Sequence, residues 1–303
     1  MSKVYYSLPD FFNYKRLNLK MADMKKQHPD WFREGVVLDS VYGTFPGIIW
    51  NGGRVQYGHA GYDQMVETVE AFNRHGISVR YTFTNCNINE SHFGDTYGNF
   101  ALRAAAELSG RYKNADGEPV YNGVNINVPE FGEYVRERYP QLYRMWSTTK
   151  EVRTVEEANE LSRDTLLVLP YSMNNTAALE RLTHPENIEI LCSEICVDNC
   201  PLRQVHYQHI SDLQMGLPVK MDFQCPNDVS PYYYSSAMTR SSYVSPEAVY
   251  DRYLPLGIDK FKLNGRSENA VSVIERYVSY LIAPEKRDEI RNRLLVGELI
   301  LRK

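Results

Sequence analysis

Short runs of β-branched and aromatic residues alternate with amphipathic, helix-forming stretches along almost the whole chain, and this rhythm constrains the fold more than any other feature. The first run is GVVLDSVYG, a strand over residues 36–42, followed by Gly- and Asn-rich sequence and the helix-like YDQMVETVEAFNRHG, which Gly76 ends as a C-cap. ISVRYTFT, GVNINV, LYRMWST, TLLVL and IEILCS supply five further strands. The helices between them include FALRAAAELSG, EFGEYVRERY opened by Pro129, VEEANELSRD with Thr154 as N-cap, and TAALERL. PLRQVHYQHISDLQ then leads to PVKMDF, a seventh strand if Pro218 sits at its start, and DKFKLNG is the eighth, after a helix capped by Ser245.

Eight strand signals separated by helix signals call for parallel pairing through right-handed crossovers, and eight is the closure number of a barrel. The expected fold is therefore a single α/β domain over residues 1–303, a (βα)8 TIM-type barrel, regular or distorted. The rival, an open doubly wound sheet, lacks its phosphate-binding GxGxxG after the first strand. Two connections are long, residues 43–60 after strand one and 224–244 after strand seven, as lids, binding loops or oligomer contacts are.

Composition narrows the function classes. With 34 Lys+Arg against 38 Asp+Glu the net charge is −4, which is no strong footprint for nucleic acid. No apolar run approaches the roughly 20 residues that span a bilayer, so no membrane partner is expected. The N-terminus has no apolar signal region, and five cysteines in this length are reduced thiols rather than a disulfide framework, so the expected compartment is the cytoplasm. The 23 tyrosines suggest an aromatic pocket or interface; a tyrosine-rich loop at residues 232–243 would be the contact of a homo-oligomer.

The sharpest chemical signal is CSEICVDNC, in which Cys192, Cys196 and Cys200 recur every fourth position from the end of strand six. Cys225 follows strand seven. Neighbouring strands would bring all four thiols to one sector of the barrel mouth, where they suit an iron–sulfur cluster or, alternatively, zinc. On a continuous helix Cys192 and Cys200 would stand roughly 12 Å apart, so the stretch must be a loop, and its turn-prone Val197-Asp198-Asn199 fits one. The competing reading is packing, because buried free cysteines behave as small apolar residues. Cys86 reads as pocket lining, and His206 and His209 as structural.

Polar residues fall at other strand ends: Asp39, Asn85, Ser147, Lys150, Asn174, Glu194, Lys262, Asn264 and Arg266. Barrels build sites from such positions. Asp39 and Glu194 would handle protons as general acid or base, Lys262 and Arg266 would hold an anionic group, and Asn85, Lys150, Asn174 and Asn264 would bind substrate.

The stretch IEILCSEICVDNCPLRQVHY resembles the collagenase-like peptidase family, in which a Glu and cysteines followed by Pro and Arg stand at the end of a barrel strand. GIDKFKLNGRS is similar to that family's closing strand. The resemblance implies an incomplete or distant barrel and, in members acting on RNA bases or ubiquinone precursors, a 4Fe-4S cluster supporting oxygen-independent hydroxylation. It carries over Glu194 and the cysteine set, with Lys262, Gly265 and Arg266 as the closing motif. The compact cysteine spacing departs from the more scattered pattern of the family.

The expectation is thus an iron–sulfur-dependent barrel enzyme modifying a small-molecule or nucleobase substrate. The alternatives are a metal-free barrel hydrolase or lyase using strand-end carboxylates, and a non-catalytic oligomeric binding or assembly protein on a barrel scaffold.

Overall fold

The structure, a computed structural model, describes residues 2–218, 224–226, 233–265 and 269–300, with side chains up to residue 297. Eight parallel strands close on themselves: β1 (Val4–Pro9), β2 (Val36–Gly43), β3 (Ser78–Phe83), β4 (Gly123–Ile126), β5 (Tyr143–Trp146), β6 (Leu166–Leu169), β7 (Ile188–Leu191) and β8 (Lys260–Lys262). The fold is the expected (βα)8 barrel, but one stave differs. VYYSLP at the N-terminus is β1, paired with both β2 and β8. PVKMDF, the expected seventh strand, lies outside the described residues from Val219 onward, and β7 pairs directly with β8, so nothing stands between them.

The physical reason is burial. Val4, Tyr6 and Leu8 alternate along β1, are wholly buried, and belong to the layer between strands and helices. Tyr5, Ser7 and Pro9 take the other face. Helices α1 (Lys15–Gln27), α2 (Tyr62–Asn73), α3 (Thr96–Leu108), α4 (Pro129–Arg138) and α5 (Val155–Ser162) follow β1 to β5, α6 (Arg203–Gln214) follows β7, and the helix Ala270–Leu281 follows β8. Thr154 caps α5 as expected, accepting from the Glu157 amide. TAALERL winds only as a 3-10 turn over Ala177–Arg181.

The lumen departs from the branched aliphatic filling usual in such barrels. Arg80 on β3 lies at its centre, hydrogen-bonded to Glu189 on β7 at 2.6 Å, Asp39 on β2 at 2.6 Å, Ser7 on β1 at 3.0 Å and Tyr143 on β5 at 2.5 Å. Ser7 also donates to Glu189 at 2.9 Å and bonds Ser40. Asp39 and Ser40, consecutive residues, both reach lumen partners because a bulge lies between the Tyr6–Leu38 and Ser7–Ser40 pairs. Gly123 makes room for Tyr143: a Cβ there would meet the ring at 2.4 Å.

Candidate functional site

Above this charged layer the carboxyl ends of the strands open into a cavity. Its wall is made by Tyr42 from β2, Thr82 and Thr84 from β3 and the residues after it, Asn125 from β4, Ser147 to Thr149 after β5, Leu191 and Glu194 from β7 and beyond, and Lys262 and Asn264 from β8 onward. Arg54 and Tyr207 close it from the side. Strand periodicity explains the set: every second residue faces the lumen, so the register that sends Arg80 inward also sends Thr82 and Thr84 inward one and two layers higher.

The long 43–60 connection forms part of this mouth. Thr82 donates to Asn51 at 3.0 Å, Asn85 donates to the Ile49 carbonyl at 2.7 Å, and Gln214 of α6 donates to the Ile48 carbonyl at 2.9 Å. Gly52 packs so closely on β3 that a Cβ would sit 2.4 Å from the Thr84 carbonyl. The loop is therefore fastened between β3 and α6, with Arg54 carried over the opening.

Two features of the cavity stand out chemically. The side chain of Asn125 is 1% exposed, and among the described residues neither its amide nitrogen nor its oxygen has a hydrogen-bond partner. The hydroxyls of Thr148 and Thr149 are likewise buried and unpartnered. A buried amide left unpaired costs on the order of 1–3 kcal/mol, so folding alone does not account for it. The Lys262 ammonium lies 3.9 Å from the centre of the Tyr42 ring and 4.0 Å from the far Glu189 oxygen, which links the mouth to the charged layer beneath. Burial pushes the Glu189 carboxyl upward, but the charges of Arg80 and Lys262 and the hydrogen bonds from Ser7 and Arg80 outweigh it, so its pKa is lowered.

Glu194 accepts from the backbone amides of Ile195 at 2.8 Å and Cys196 at 3.1 Å, which holds its carboxylate at the rim. His206, near the same rim, is neutral at physiological pH: burial, then the charges of Arg54, His209 and Arg203, bring its imidazole down to about 4.

The expected site residues divide into groups. Glu194, Lys262, Asn264 and Ser147 do line one cavity. Asp39 does not; it stands in mid-strand at the bulge and pairs with Arg80 below the mouth. Asn85 is buried and spent on the Ile49 and Ser211 carbonyls, a fastening role. Asn174 holds the Leu191 and Ser242 carbonyls and faces a separate pocket with Asp198 and Ser241. Lys150 lies in a neighbouring cleft with Cys86, its ammonium 5.3 Å from the Trp146 ring centre. Arg266 lies outside the described residues.

Cys192 stands apart from the other three cysteines. Cys192 continues β7 on the outward face, in step with Ile190, is wholly buried, and its thiol donates to the Ile190 carbonyl among Tyr6, Tyr253 and Tyr280. Strand alternation thus turns it away from the mouth. Cys225 is exposed, while Cys196 and Cys200 are partly buried. Burial, then the charges of Glu194, Cys200 and Cys225, push the Cys196 thiol up to about 12. Among the described residues no three His, Cys, Asp or Glu side chains are grouped to hold a metal ion, so the four-thiol set does not fit an iron–sulfur or zinc centre.

Arg54, Thr82, Asn125 and Tyr207 were not singled out from the sequence. Thr82 and Asn125 were detectable as polar residues at lumen-facing positions of strands; Arg54 and Tyr207 carried no such signal.

Compared with known proteins, the chain is similar to the structure of the U32 peptidase Mk0906, with 17% identity over 89% of this chain and 95% of that one and a TM-score of 0.47. U32 peptidases are the collagenase-like family. At that identity and overlap the likeness says nothing of the reaction. No protein-family model matches the chain, and no curated protein matches it significantly. Among the described residues no helix is long and apolar enough to cross a membrane.

Proposed function

We propose that the chain is a barrel enzyme that binds an anionic group of a small molecule at the mouth and performs acid–base chemistry on it. Lys262 and Arg54 would supply positive charge, Asn125 would donate its amide to a carboxylate, phosphate or carbonyl oxygen, and Glu194 would move the proton. Hydrolysis and elimination share this requirement: one group stabilises developing negative charge while a carboxylate takes or gives a proton. The unpartnered Asn125 amide carries the reading, because a ligand oxygen is the partner it lacks.

The test is thermal stabilisation and calorimetric binding with inorganic phosphate, acetate and malonate. Lys262→Met should lose the binding. Glu194→Gln should keep or strengthen it, since a negative charge is removed, and should abolish turnover of any substrate found by incubation with metabolite mixtures. Absence of anion binding, or a substrate turned over equally by Glu194→Gln, defeats the proposal.

A second reading retains Cys196 together with Cys200 and Cys225, which lie near enough to add to the upward push on the Cys196 thiol. They would hold an iron–sulfur cluster or zinc ion beside the mouth, as the family resemblance implies. Iron, sulfide and zinc analysis after anaerobic reconstitution, with Cys196→Ala as control, tests it.

A further inference from the structure

The mouth cavity measures about 80 Å³, far below the roughly 300–1,000 Å³ of ordinary small-molecule sites. Beside it, between the ends of β4 and β5 and helix α6, lies a cleft of about 470 Å³. Thr149 and Tyr207 line both spaces. These two residues therefore stand between the spaces, and among the described residues the buried Thr149 hydroxyl has no partner.

The charges repeat on either side of this partition. The mouth carries Arg54 and Lys262 against Glu194, and the cleft carries Lys150 and Arg153 against Glu151. Each space thus has one cation in excess, on a chain whose net charge is −4. Burial pushes the Glu151 carboxyl upward against the charges of Arg203 and Arg153, and Arg203 stands 3.8 Å from it. Lys150 is braced over the Trp146 ring, and Arg153 is exposed at the edge. Gln204 and Gln208 of α6 add amides that suit a polar linker.

From this we infer that mouth and cleft form one two-part site for an elongated dianion. One carboxylate or phosphate sits at Lys262 and Asn125, the other at Lys150 and Arg153, and the connecting chain passes Thr149 and Tyr207. The inference rests on the anion-binding reading of the mouth and extends it to a substrate class.

Calorimetry on the full chain tests it, using dicarboxylates from succinate to suberate, each beside the monocarboxylate of equal length. A phosphate arm compares fructose 1,6-bisphosphate with fructose 6-phosphate and tells which anion the site prefers. At the fitting length the dianion should bind about tenfold or more tightly than its monoanion, because the second contact is intramolecular. The exposed-edge double variant Lys150→Ala/Arg153→Ala should erase that advantage while monoanions still bind. If monoanions bind and no dianion of either arm binds better, the two-part site is wrong and the mouth reading stands. An advantage that survives the double variant also overturns it. If no anion binds at all, both readings fall.

Discussion

Two polar layers lie one above the other inside this barrel, and they are built on opposite terms. In the lower layer Arg80 meets Glu189, Asp39, Ser7 and Tyr143, and each charge has an opposite charge within 2.6 Å. In the upper layer the Asn125 amide and the Thr148 and Thr149 hydroxyls are buried with no partner among the described residues. In the lower layer the far Glu189 oxygen has no hydrogen bond among the described residues but lies 4.0 Å from the Lys262 ammonium, and the layer serves to fill and register the barrel. The upper layer leaves more of its polar atoms unanswered among the described residues, and the proposed anion binding would supply their partner.

The contrast breaks most directly at Arg80. Arg80→Met would leave two carboxylates in the lumen without their cation, and unfolding by urea should show a loss of about 3–5 kcal/mol. Burial works against the charge on Arg80, yet Tyr143, Glu189 and Asp39 together raise its pKa, so no accessible pH removes that charge.

Acid attacks the same layer from the carboxylate side. Because the pKa of Glu189 is lowered in the folded protein, its contribution to stability is present above the ordinary carboxyl value of about 4.3 and is lost as the pH falls through the lower folded value. Urea unfolding followed from about pH 7 down to about pH 3 should show this acid limb flattened in Glu189→Gln relative to the natural chain.

The upper layer should respond with the opposite sign. Asn125→Leu replaces an unpaired amide by an apolar side chain of similar size and should raise stability by about 1–2 kcal/mol while abolishing anion binding. A destabilised Asn125→Leu that still binds phosphate would remove the distinction between the layers.

Smallest is the expected effect at Cys192. Its thiol fills space behind β7, so Cys192→Ala should cost about 1 kcal/mol and leave the metal content of the reconstituted protein unchanged. A drop in iron or zinc on that substitution would return this cysteine to the mouth.

The barrel was legible because its signals are local and repeated: alternation in the strands, amphipathic helices, Pro129 and Thr154 at helix starts. β1 was missed although Val4, Tyr6 and Leu8 alternate as a strand should, because eight staves were already counted with PVKMDF among them. PVKMDF was read as a stave because its composition resembles one, and composition says nothing of whether a place between β7 and β8 exists. Of the site, Glu194, Lys262 and Asn264 were readable as polar residues where strands end. Asp39 misled because a bulge turns two consecutive residues inward, and Cys192 misled because the face of a strand depends on register.

By itself, then, the sequence determined the class of architecture and the end of the barrel where polar residues gather, because periodicity and capping are properties of neighbours along the chain. Only the tertiary structure decided which staves close the ring, which thiols face the core, and that Arg54, Asn125 and Tyr207 share a cavity with Glu194 and Lys262. Those are matters of pairing, register and satisfaction between residues tens to hundreds of positions apart, and no local pattern encodes them.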